Sequence, residues 1–239
     1  MTARDGDRAT PIADSGVIGT RATRRGHVFV IAAPSGTGKT TICRRILERD
    51  PVLRLSTSHT TRAPRAGEQD GVHYHFVSPG RFRELVAEGR FLEHAEYGGN
   101  VYGTSWNAIE APLAEGHDVV LEIEVQGAAQ VKKRIADACL IFLLPPSLAV
   151  LEERLRGRGT DDEAVIQRRM ALSDRELAAA EIFDFAVVND ELERAVDDVL
   201  HVIHAVRAGR EESVRGRFGR AGVMTAFLAA QAGAPTAKR

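Results

Sequence analysis

The amino-acid sequence predicts an α/β fold in which helices flank a parallel core sheet. Segments of strand character alternate along the chain with segments whose apolar residues recur at helical spacing. Residues 27–32 and 139–144 are nearly continuous apolar runs, which are typical of strands buried on both faces. The first run leads through a glycine-containing loop directly into a helical pattern, so that a strand, a loop and a helix follow one another.

The composition is typical of a soluble globular protein, with 44% hydrophobic and 27% charged residues. A chain of 239 residues is long enough for one domain with insertions and a substantial core. The net charge of −1 gives no argument for binding nucleic acid or membranes, and we expect neither as a partner. No apolar run approaches the roughly 18 residues of a spanning helix, and the N-terminus lacks the apolar core of a signal peptide.

The two cysteines, Cys43 and Cys139, stand far apart in apolar patterns. They match neither a zinc-binding spacing nor a disulfide framework. We expect two buried thiols, which fits a reducing compartment and a cytoplasmic location.

Residues 33–40, with the sequence APSGTGKT, connect the first strand to the first helix and match a phosphate-binding loop. The backbone N–H groups of such a loop surround polyphosphate, beside the positive end of the helix dipole. Lys39 can reach the terminal phosphates, and the Thr40 hydroxyl can bind Mg²⁺. Ala33 departs from the consensus, which begins with Gly, and the alternative is a glycine turn without a ligand. The candidate nucleotide-binding residues are Ala33, Pro34, Ser35, Gly36, Thr37, Gly38, Lys39, Thr40 and Thr41.

The part of the chain from residue 58 to about 110 predicts a small mixed α/β lobe inserted between core elements. A strand is expected at residues 72–77, and a helix follows the Ser78 N-cap and Pro79. Residues 91–97 and 101–102 flank a Gly-Gly-Asn turn and predict a hairpin. The next helix is expected from about Thr104 to Glu115. Residues 1–25, before the first strand, lack periodicity and predict a disordered tail.

Core elements then return, with strands expected at 118–125, 139–144 and 185–188 and helices at 126–135 and 192–203. Between them, residues 148–170 contain two helices joined by a Gly/Arg-rich turn and are a candidate lid. Thr160 with Glu163 predicts the capping box of the second of these helices. Residues 208–239 lack sustained patterning and predict a flexible C-terminal tail, in which Val223–Ala230 is at most a short helix outside the core.

Five arginines are grouped in the inserted lobe and around the candidate lid: Arg62, Arg65, Arg154, Arg158 and Arg169. Guanidinium groups bind phosphate in bidentate geometry, and phosphoryl transfer requires positive charge around donor and acceptor phosphates. Taken alone, each of them is more often a solvated surface residue. Their grouping favours phosphate binding.

Glu122 and Glu124 occupy alternate positions at the end of the strand predicted for 118–125. Alternate residues share a face, so both carboxylates are expected to point the same way, near the sheet edge where α/β folds bind ligands. One of them is suited to Mg²⁺. The alternative is an exposed strand face, which the apolar residues around them disfavour.

Four further motifs resemble those of guanylate kinase. They are SHTTRAPRAGEQDGVHYHF at residues 58–76, FLEHAEYGGNVYGT at 91–104, LEIEVQGA at 121–128 and RLRGRGTDDEAVIQRRM at 154–170. The resemblance covers about residues 26–207 and implies a P-loop kinase fold with a GMP-binding lobe at about 58–110 and a helical lid at about 148–170. It also implies transfer of the γ-phosphoryl group of ATP to GMP, giving ADP and GDP, with Mg²⁺ as a cofactor, in purine metabolism and GMP recycling.

The resemblance further implies roles for residues at matching positions. Those that match the GMP-phosphate site are Ser58, Arg62, Arg65, Tyr74 and Tyr102. Those that match the guanine site are Glu93, Thr104 and Glu124, with Glu122 beside them near the metal and the acceptor phosphate. Arg154, Arg158 and Arg169 match lid arginines, with Arg154 also near the adenine of ATP.

The candidate catalytic residues are therefore Lys39, Arg62, Arg154, Arg158 and Arg169, and the candidate metal ligands are Thr40 and Glu122. Some relatives have Asp at positions 122 and 124, so the sequence leaves open which carboxylate meets the base and which meets magnesium.

The chemistry of guanine independently favours a carboxylate in the base site. Its Watson–Crick edge presents N–H donors, whereas adenine presents an acceptor that a buried Glu93 or Glu124 would leave unpaired. Two alternatives remain at this stage. A non-catalytic binding module of the same family is disfavoured by the intact Gly38-Lys39-Thr40, and a kinase for another monophosphate or a small alcohol is disfavoured by Glu93. We expect GMP and ATP as small-molecule partners and leave the oligomeric state open.

Overall fold

The computed structural model describes residues 25–157 and 162–233. Its strands are β1 (Val28–Ala32), β2 (Leu53–Leu55), β3 (His59–Thr60), β4 (His75–Phe76), β5 (Phe91–Tyr97), β6 (Asn100–Ser105), β7 (Asp118–Glu122), β8 (Cys139–Leu144) and β9 (Phe185–Val188). Its helices are α1 (Lys39–Arg49), α2 (Pro79–Ala87), α3 (Asn107–Ala114), α4 (Val125–Arg134), α5 (Leu148–Arg156), α6 (Glu163–Ala178), α7 (Leu192–Arg207), α8 (Glu212–Phe218) and α9 (Arg220–Gly233). A 3₁₀ helix, Ala179–Ile182, follows α6.

Five parallel strands form the core sheet in the order β2-β7-β1-β8-β9, which confirms the predicted parallel architecture. The central strand β1 is buried throughout and packs on both faces. Val28 and Val30 point into a layer covered by α3, α4 and α9, whereas Phe29 and Ile31 point into the layer of α1, α7 and α8. This two-sided burial explains why the sequence of β1 is a continuous apolar run.

The inserted lobe contains the second sheet, in the order β4-β3-β6-β5. Strands β5 and β6 form the predicted hairpin, and Gly98 and Gly99 occupy its turn with φ of 60° and 78°. The predicted strand at 72–77 is too long, because the N–H groups of Val72 and His73 bond to the Gln69 carbonyl in a turn. The predicted helix start at Thr104 is also wrong, since Thr104 pairs with Glu93 inside the lobe sheet.

Two further boundaries differ from the sequence prediction. β7 ends at Glu122, and Glu124 is the extended N-cap residue of α4 rather than a strand residue. The N-cap of α6 is Asp162, whose carboxylate accepts a hydrogen bond from the Val165 N–H at 2.8 Å. Thr160, the predicted capping residue, lies outside the described residues.

The prediction of a flexible tail after residue 208 is wrong for the described part, because α8 and α9 pack on the core. Val214 and Phe218 join the layer of α1 and α7, and Met224 and Phe227 join the opposite layer. Gly219, between the two helices, bridges Phe185 in antiparallel fashion at the edge of the core sheet. The predicted N-terminal tail lies outside the described residues apart from residue 25. Cys43 and Cys139 are buried free thiols, as predicted. No helix of the described part is long and apolar enough to cross a membrane.

Candidate active site

The loop between β1 and α1 lies at the carboxyl edge of the core sheet and has the backbone conformation of a tight glycine turn. Gly36 and Gly38 have φ of 96° and 98°, a region that L side chains rarely adopt. A Cβ atom on Gly36 would lie 3.0 Å from Leu155 Cδ2, and one on Gly38 would lie 2.7 Å from Asn189 Nδ2. Conformation and close packing therefore both require glycine at these two positions.

The loop is anchored through the carbonyl oxygen of Thr37. Asn189 Nδ2 donates to this oxygen at 2.6 Å, and Arg154 Nη1 donates to it at 3.4 Å. Arg154 Nη2 also donates to the Asn189 carbonyl at 3.2 Å, so the arginine predicted for the lid lies directly against the loop. Asn189 was not predicted from the sequence as a residue of this site. Its signal was its position directly after β9, at the ligand-binding edge of the sheet.

Lys39, the first residue of α1, lies between the loop and the start of α4. Its Nζ donates to the Ile123 carbonyl at 3.0 Å and to Glu124 Oε1 at 3.2 Å. Burial lowers the pKa of Lys39, but the nearby carboxylates of Glu124 and Glu122 outweigh it and the pKa lies above its ordinary value. The side chain is therefore a permanent cation at neutral pH.

Thr40 and Glu122 lie side by side, with Thr40 Oγ1 donating to Glu122 Oε1 at 2.5 Å. The pair supplies a hydroxyl from the start of α1 and a carboxylate oxygen from the end of β7. Hard oxygen ligands of this kind fit Mg²⁺. Among the described residues no group of three or more His, Cys, Asp or Glu side chains could hold a metal by itself. A two-residue site nevertheless suits Mg²⁺, because this ion usually keeps waters and binds phosphate oxygens as well.

Glu93 is a buried carboxyl on β5, with 3% of the residue exposed. Its Oε1 accepts a hydrogen bond from the Thr104 N–H at 2.8 Å, and Thr104 Oγ1 lies 3.1 Å from Ser58 Oγ. Burial raises the pKa of Glu93, although its hydrogen bonds with Thr104 oppose the shift. A Cβ on Gly127 of α4 would lie 2.4 Å from Glu93 Oε2, so that glycine makes room for the carboxyl group.

Arg62 faces the two tyrosines predicted for the phosphate site. Its guanidinium lies 5.4 Å from the Tyr74 ring centroid, and the rings of Tyr74 and Tyr102 are 5.9 Å apart. Arg62 also forms an ion pair with Glu68, a residue that the sequence analysis did not single out, and this hydrogen-bonded guanidinium lowers the pKa of Glu68 to about 2. The Arg65 side chain is exposed, and its backbone N–H donates to Glu68 Oε2 at 2.7 Å.

Glu176 of α6 is a third residue of this site that was not predicted from the sequence. It is buried, and burial together with the neighbouring charge of Glu124 raises its pKa. It carries no sequence signal of its own, because a single Glu on a long amphipathic helix usually faces solvent. Arg169 lies on the same helix, and Arg158 lies outside the described residues.

A phosphate-binding loop, a lysine at the helix start and carboxylates after the neighbouring strand define the chain as an α/β phosphotransferase of the P-loop class. The comparisons with known proteins narrow this class. The family model for guanylate kinase matches residues 25–206. The chain belongs to the guanylate kinase family.

The most informative relatives are bacterial. The chain is 52% identical over 193 residues to the guanylate kinase of Neisseria gonorrhoeae. The aligned region covers 81% of this chain and 94% of that protein. It is 48% identical over 190 residues to the guanylate kinase of Methylobacillus flagellatus, covering 80% of this chain and 94% of that protein. The crystal structure of guanylate kinase from Anaplasma phagocytophilum matches with a TM-score of 0.63 and 29% identity, over 81% of this chain and 96% of that chain. The predicted family and fold are thereby confirmed.

Proposed function

We propose that this chain transfers the γ-phosphoryl group of ATP to GMP, giving ADP and GDP, with Mg²⁺ as the cofactor. The observation that carries the proposal is the contact between Lys39 and Glu124, with Nζ and Oε1 3.2 Å apart. It joins the phosphate-binding loop to a carboxylate at the predicted guanine site, so that a donor and an acceptor nucleotide bind side by side.

On the donor side, we assign residues 33–41 to the phosphates of ATP. The backbone N–H groups of the loop and the N-terminus of α1 favour the β- and γ-phosphates, and Lys39 adds a cation that is already desolvated. Arg154 is fixed near these phosphates by its bonds to Thr37 and Asn189. Arg158 and Arg169 are the further arginines that we assign to the transferred group.

On the acceptor side, we assign Arg62, Arg65, Tyr74, Tyr102 and Ser58 to the phosphate of GMP. The ion pair with Glu68 holds the guanidinium of Arg62 in one orientation, and guanidinium groups bind phosphate in bidentate geometry. We assign Glu93, Thr104 and Glu124 to the guanine base. Their buried acceptors meet the N–H donors of guanine, and adenine would leave them unpaired.

Thr40 and Glu122 are the residues that would hold Mg²⁺. When bound, the ion neutralises negative charge on the phosphates. The contact of Thr40 with Glu122 and of Lys39 with Glu124 supports this division of the two carboxylates between metal and base. The protein residues themselves position the two nucleotides and exclude water, and phosphoryl transfer needs little else from them.

We further propose that the lobe at about 58–110 and the lid at about 148–170 close on the two nucleotides, in a cytoplasmic enzyme. Closure keeps water away from the γ-phosphate and prevents its hydrolysis. Small-angle scattering should then give a smaller radius of gyration with GMP and a non-hydrolysable ATP analogue than without ligands.

The function is tested by a coupled assay with MgATP and each of GMP, AMP, CMP and UMP. We expect turnover on GMP to exceed that on the other monophosphates by orders of magnitude. Equal turnover on AMP and GMP would contradict the guanine site. GMP binding by calorimetry without turnover on any monophosphate would instead indicate a non-catalytic binding module.

A further inference from the structure

The last described helix, α9 (Arg220–Gly233), begins after the match to the guanylate kinase family model, which ends at residue 206. The proposed reaction uses none of its residues. Met224 and Phe227 bury one face of α9 in the core. Gln231 lies four residues after Phe227 and seven after Met224, so it belongs to the same face. A polar side chain on a packed face needs a hydrogen-bond partner, and Gln231 finds one in α5.

Gln231 caps the first turn of α5 from outside that helix. Its Oε1 accepts a hydrogen bond from the Leu148 N–H at 3.1 Å. The N–H groups of the first turn have no acceptor within their own helix. The hydroxyl of the N-cap residue Ser147 serves the Val150 N–H at 3.1 Å, and Gln231 serves that of Leu148. Apolar packing supports the contact, since Leu148 and Val223 of α9 are both partly buried against the same hydrophobic cluster.

α5 in turn carries side chains that lie against the phosphate-binding loop. A Cβ atom on Gly36 would meet Leu151 Cδ1 at 3.1 Å and Leu155 Cδ2 at 3.0 Å, so both leucines pack directly on the loop. Arg154 lies between them and donates to the Thr37 carbonyl at 3.4 Å. The placement of α5 therefore determines where the guanidinium of Arg154 lies relative to the loop.

We propose that Gln231 is a positioning residue for the ATP site, which fixes the start of α5 and thereby holds Arg154 at the phosphate-binding loop. Arg154 lies six residues after Leu148, which is about 9 Å along the helix. A helix transmits a displacement along its length as a rigid element, so a shift at Leu148 reaches the guanidinium. The inference rests on the proposed function, which assigns Arg154 to the phosphates of ATP. Because α5 packs on the phosphate-binding loop, the effect should concern ATP rather than GMP.

Steady-state kinetics of the full chain with GMP and MgATP test the role of Gln231. Gln231→Leu keeps the size of the side chain but removes the acceptor, and we expect kcat/KM for ATP to fall about fivefold while the KM for GMP stays within about twofold. Gln231→Glu keeps an acceptor in the same place, and a carboxylate is favourable at a helix N-terminus, so this variant should behave as wild type.

The matched control is Thr225→Val, which removes an exposed polar group of the same helix. The Thr225 hydroxyl bonds to the Ala221 carbonyl within α9, so this variant should leave the kinetics unchanged. If thermal unfolding shows that Gln231→Leu does not fold, Gln231→Ala removes the same acceptor and takes its place in every comparison.

A double-mutant cycle with Arg154→Ala separates positioning from a general loss of stability. If Gln231 acts through Arg154, Gln231→Leu should change kcat/KM for ATP by less than about twofold once the arginine is absent. Additive effects of the two substitutions, equal losses in the Leu and Glu variants, or equal losses toward ATP and GMP would overturn the inference. A wild-type enzyme that is inactive with GMP and MgATP would instead contradict the proposed function.

Discussion

Arg62 and Glu68 form a bidentate ion pair across a loop of the inserted lobe. Nη1 and Nη2 of Arg62 donate to Oε2 and Oε1 of Glu68 at 2.9 and 2.8 Å. The same carboxylate accepts the backbone N–H of Arg65 at 2.7 Å. Glu68 thus fixes both the guanidinium of one arginine and the backbone of the next, which are the two arginines assigned to the GMP phosphate.

Glu68→Gln should weaken GMP binding without affecting ATP. The substitution removes the charge that orients Arg62, and charge-assisted hydrogen bonds contribute about 1.5–3 kcal/mol. We expect the KM for GMP to rise at least about tenfold, which corresponds to about 1.4 kcal/mol, while the KM for ATP stays within about twofold. Glu84→Gln, which removes an exposed ion pair with Arg81 on α2, is the control. An unchanged KM for GMP would show that Arg62 needs no orienting partner.

Lys39→Met should abolish most activity and leave the fold intact. The side chain retains its apolar length, but the desolvated cation beside the phosphates is lost, and a preorganised donor of this kind is typically worth a factor of about 100 or more in kcat. Circular dichroism and thermal unfolding measure the fold, and the coupled assay measures kcat. Lys133→Met, on the exposed side of α4, is the control. Near-wild-type turnover in the Lys39 variant would contradict the role of the phosphate-binding loop.

Glu93→Gln should reduce the preference for guanine. A carboxamide presents an N–H donor where guanine also presents donors, so one hydrogen bond becomes a repulsive contact. We expect kcat/KM for GMP to fall about 100-fold while kcat/KM for AMP changes much less. Glu96→Gln tests an exposed position on the same strand and should behave as wild type. Equal losses on GMP and AMP would mean that Glu93 supports the lobe rather than the base.

Acidification should destabilise the protein through His59. Burial, together with the neighbouring His75, lowers the pKa of His59 from 6.5 to about 4, and the nearby Asp70 and Arg81 modify it in opposite directions. Between these two pH values the unfolded chain binds a proton that the folded chain does not, so the free energy of unfolding falls as the pH falls from 6.5 to 4.

Urea unfolding of wild type and His59→Gln at pH 7, 5.5 and 4.5 measures this contribution. As the pH falls, the free energy of unfolding of the wild type should decrease relative to that of His59→Gln. The control, His201→Gln, replaces an exposed histidine of α7. A pH-independent difference for His59→Gln would show that the imidazole titrates normally in the folded state.

The sequence predicted the core sheet well because its strands are buried on both faces. β1 and β8 are continuous apolar runs, and the loop between β1 and α1 has few possible structures once Gly36, Gly38 and Lys39 are fixed. The predicted ends of strands and helices were less accurate where backbone hydrogen bonding decides where an element stops. The β pattern of residues 118–125 continues past Glu122, but pairing with β1 stops there and α4 begins at Val125.

The parts of the site that the sequence did not predict are contacts between distant segments. Asn189 meets Thr37 across 152 positions of the chain, and the charge of Glu124 acts on Glu176 only because α6 folds back toward the start of α4. Local periodicity contains no information on such pairs. Glu68 is different, since it is close in sequence to Arg62 and lies in a recognised motif, yet its role follows only from the observed geometry of the pair.

The largest error of the sequence prediction concerns α8 and α9, which were predicted as a flexible tail but pack on the core. A substitution in α9 tests this packing directly. The apolar stripe of α9 has only two large buried side chains, Met224 and Phe227, between small residues, and it was therefore too weak to predict a core element. Phe227 is 5% exposed and its neighbour Leu228 is 54% exposed.

Phe227→Ala should reduce the free energy of unfolding by about 3–5 kcal/mol, as is typical for removing a buried phenyl ring. Leu228→Ala, one position along the same helix, should change it by no more than about 0.5 kcal/mol. Denaturant unfolding of both variants measures the difference. If the two variants were equally stable, α9 would not be part of the core. A selective loss in the Phe227 variant would show that the packed domain extends past the family match, which ends at residue 206, to the end of α9.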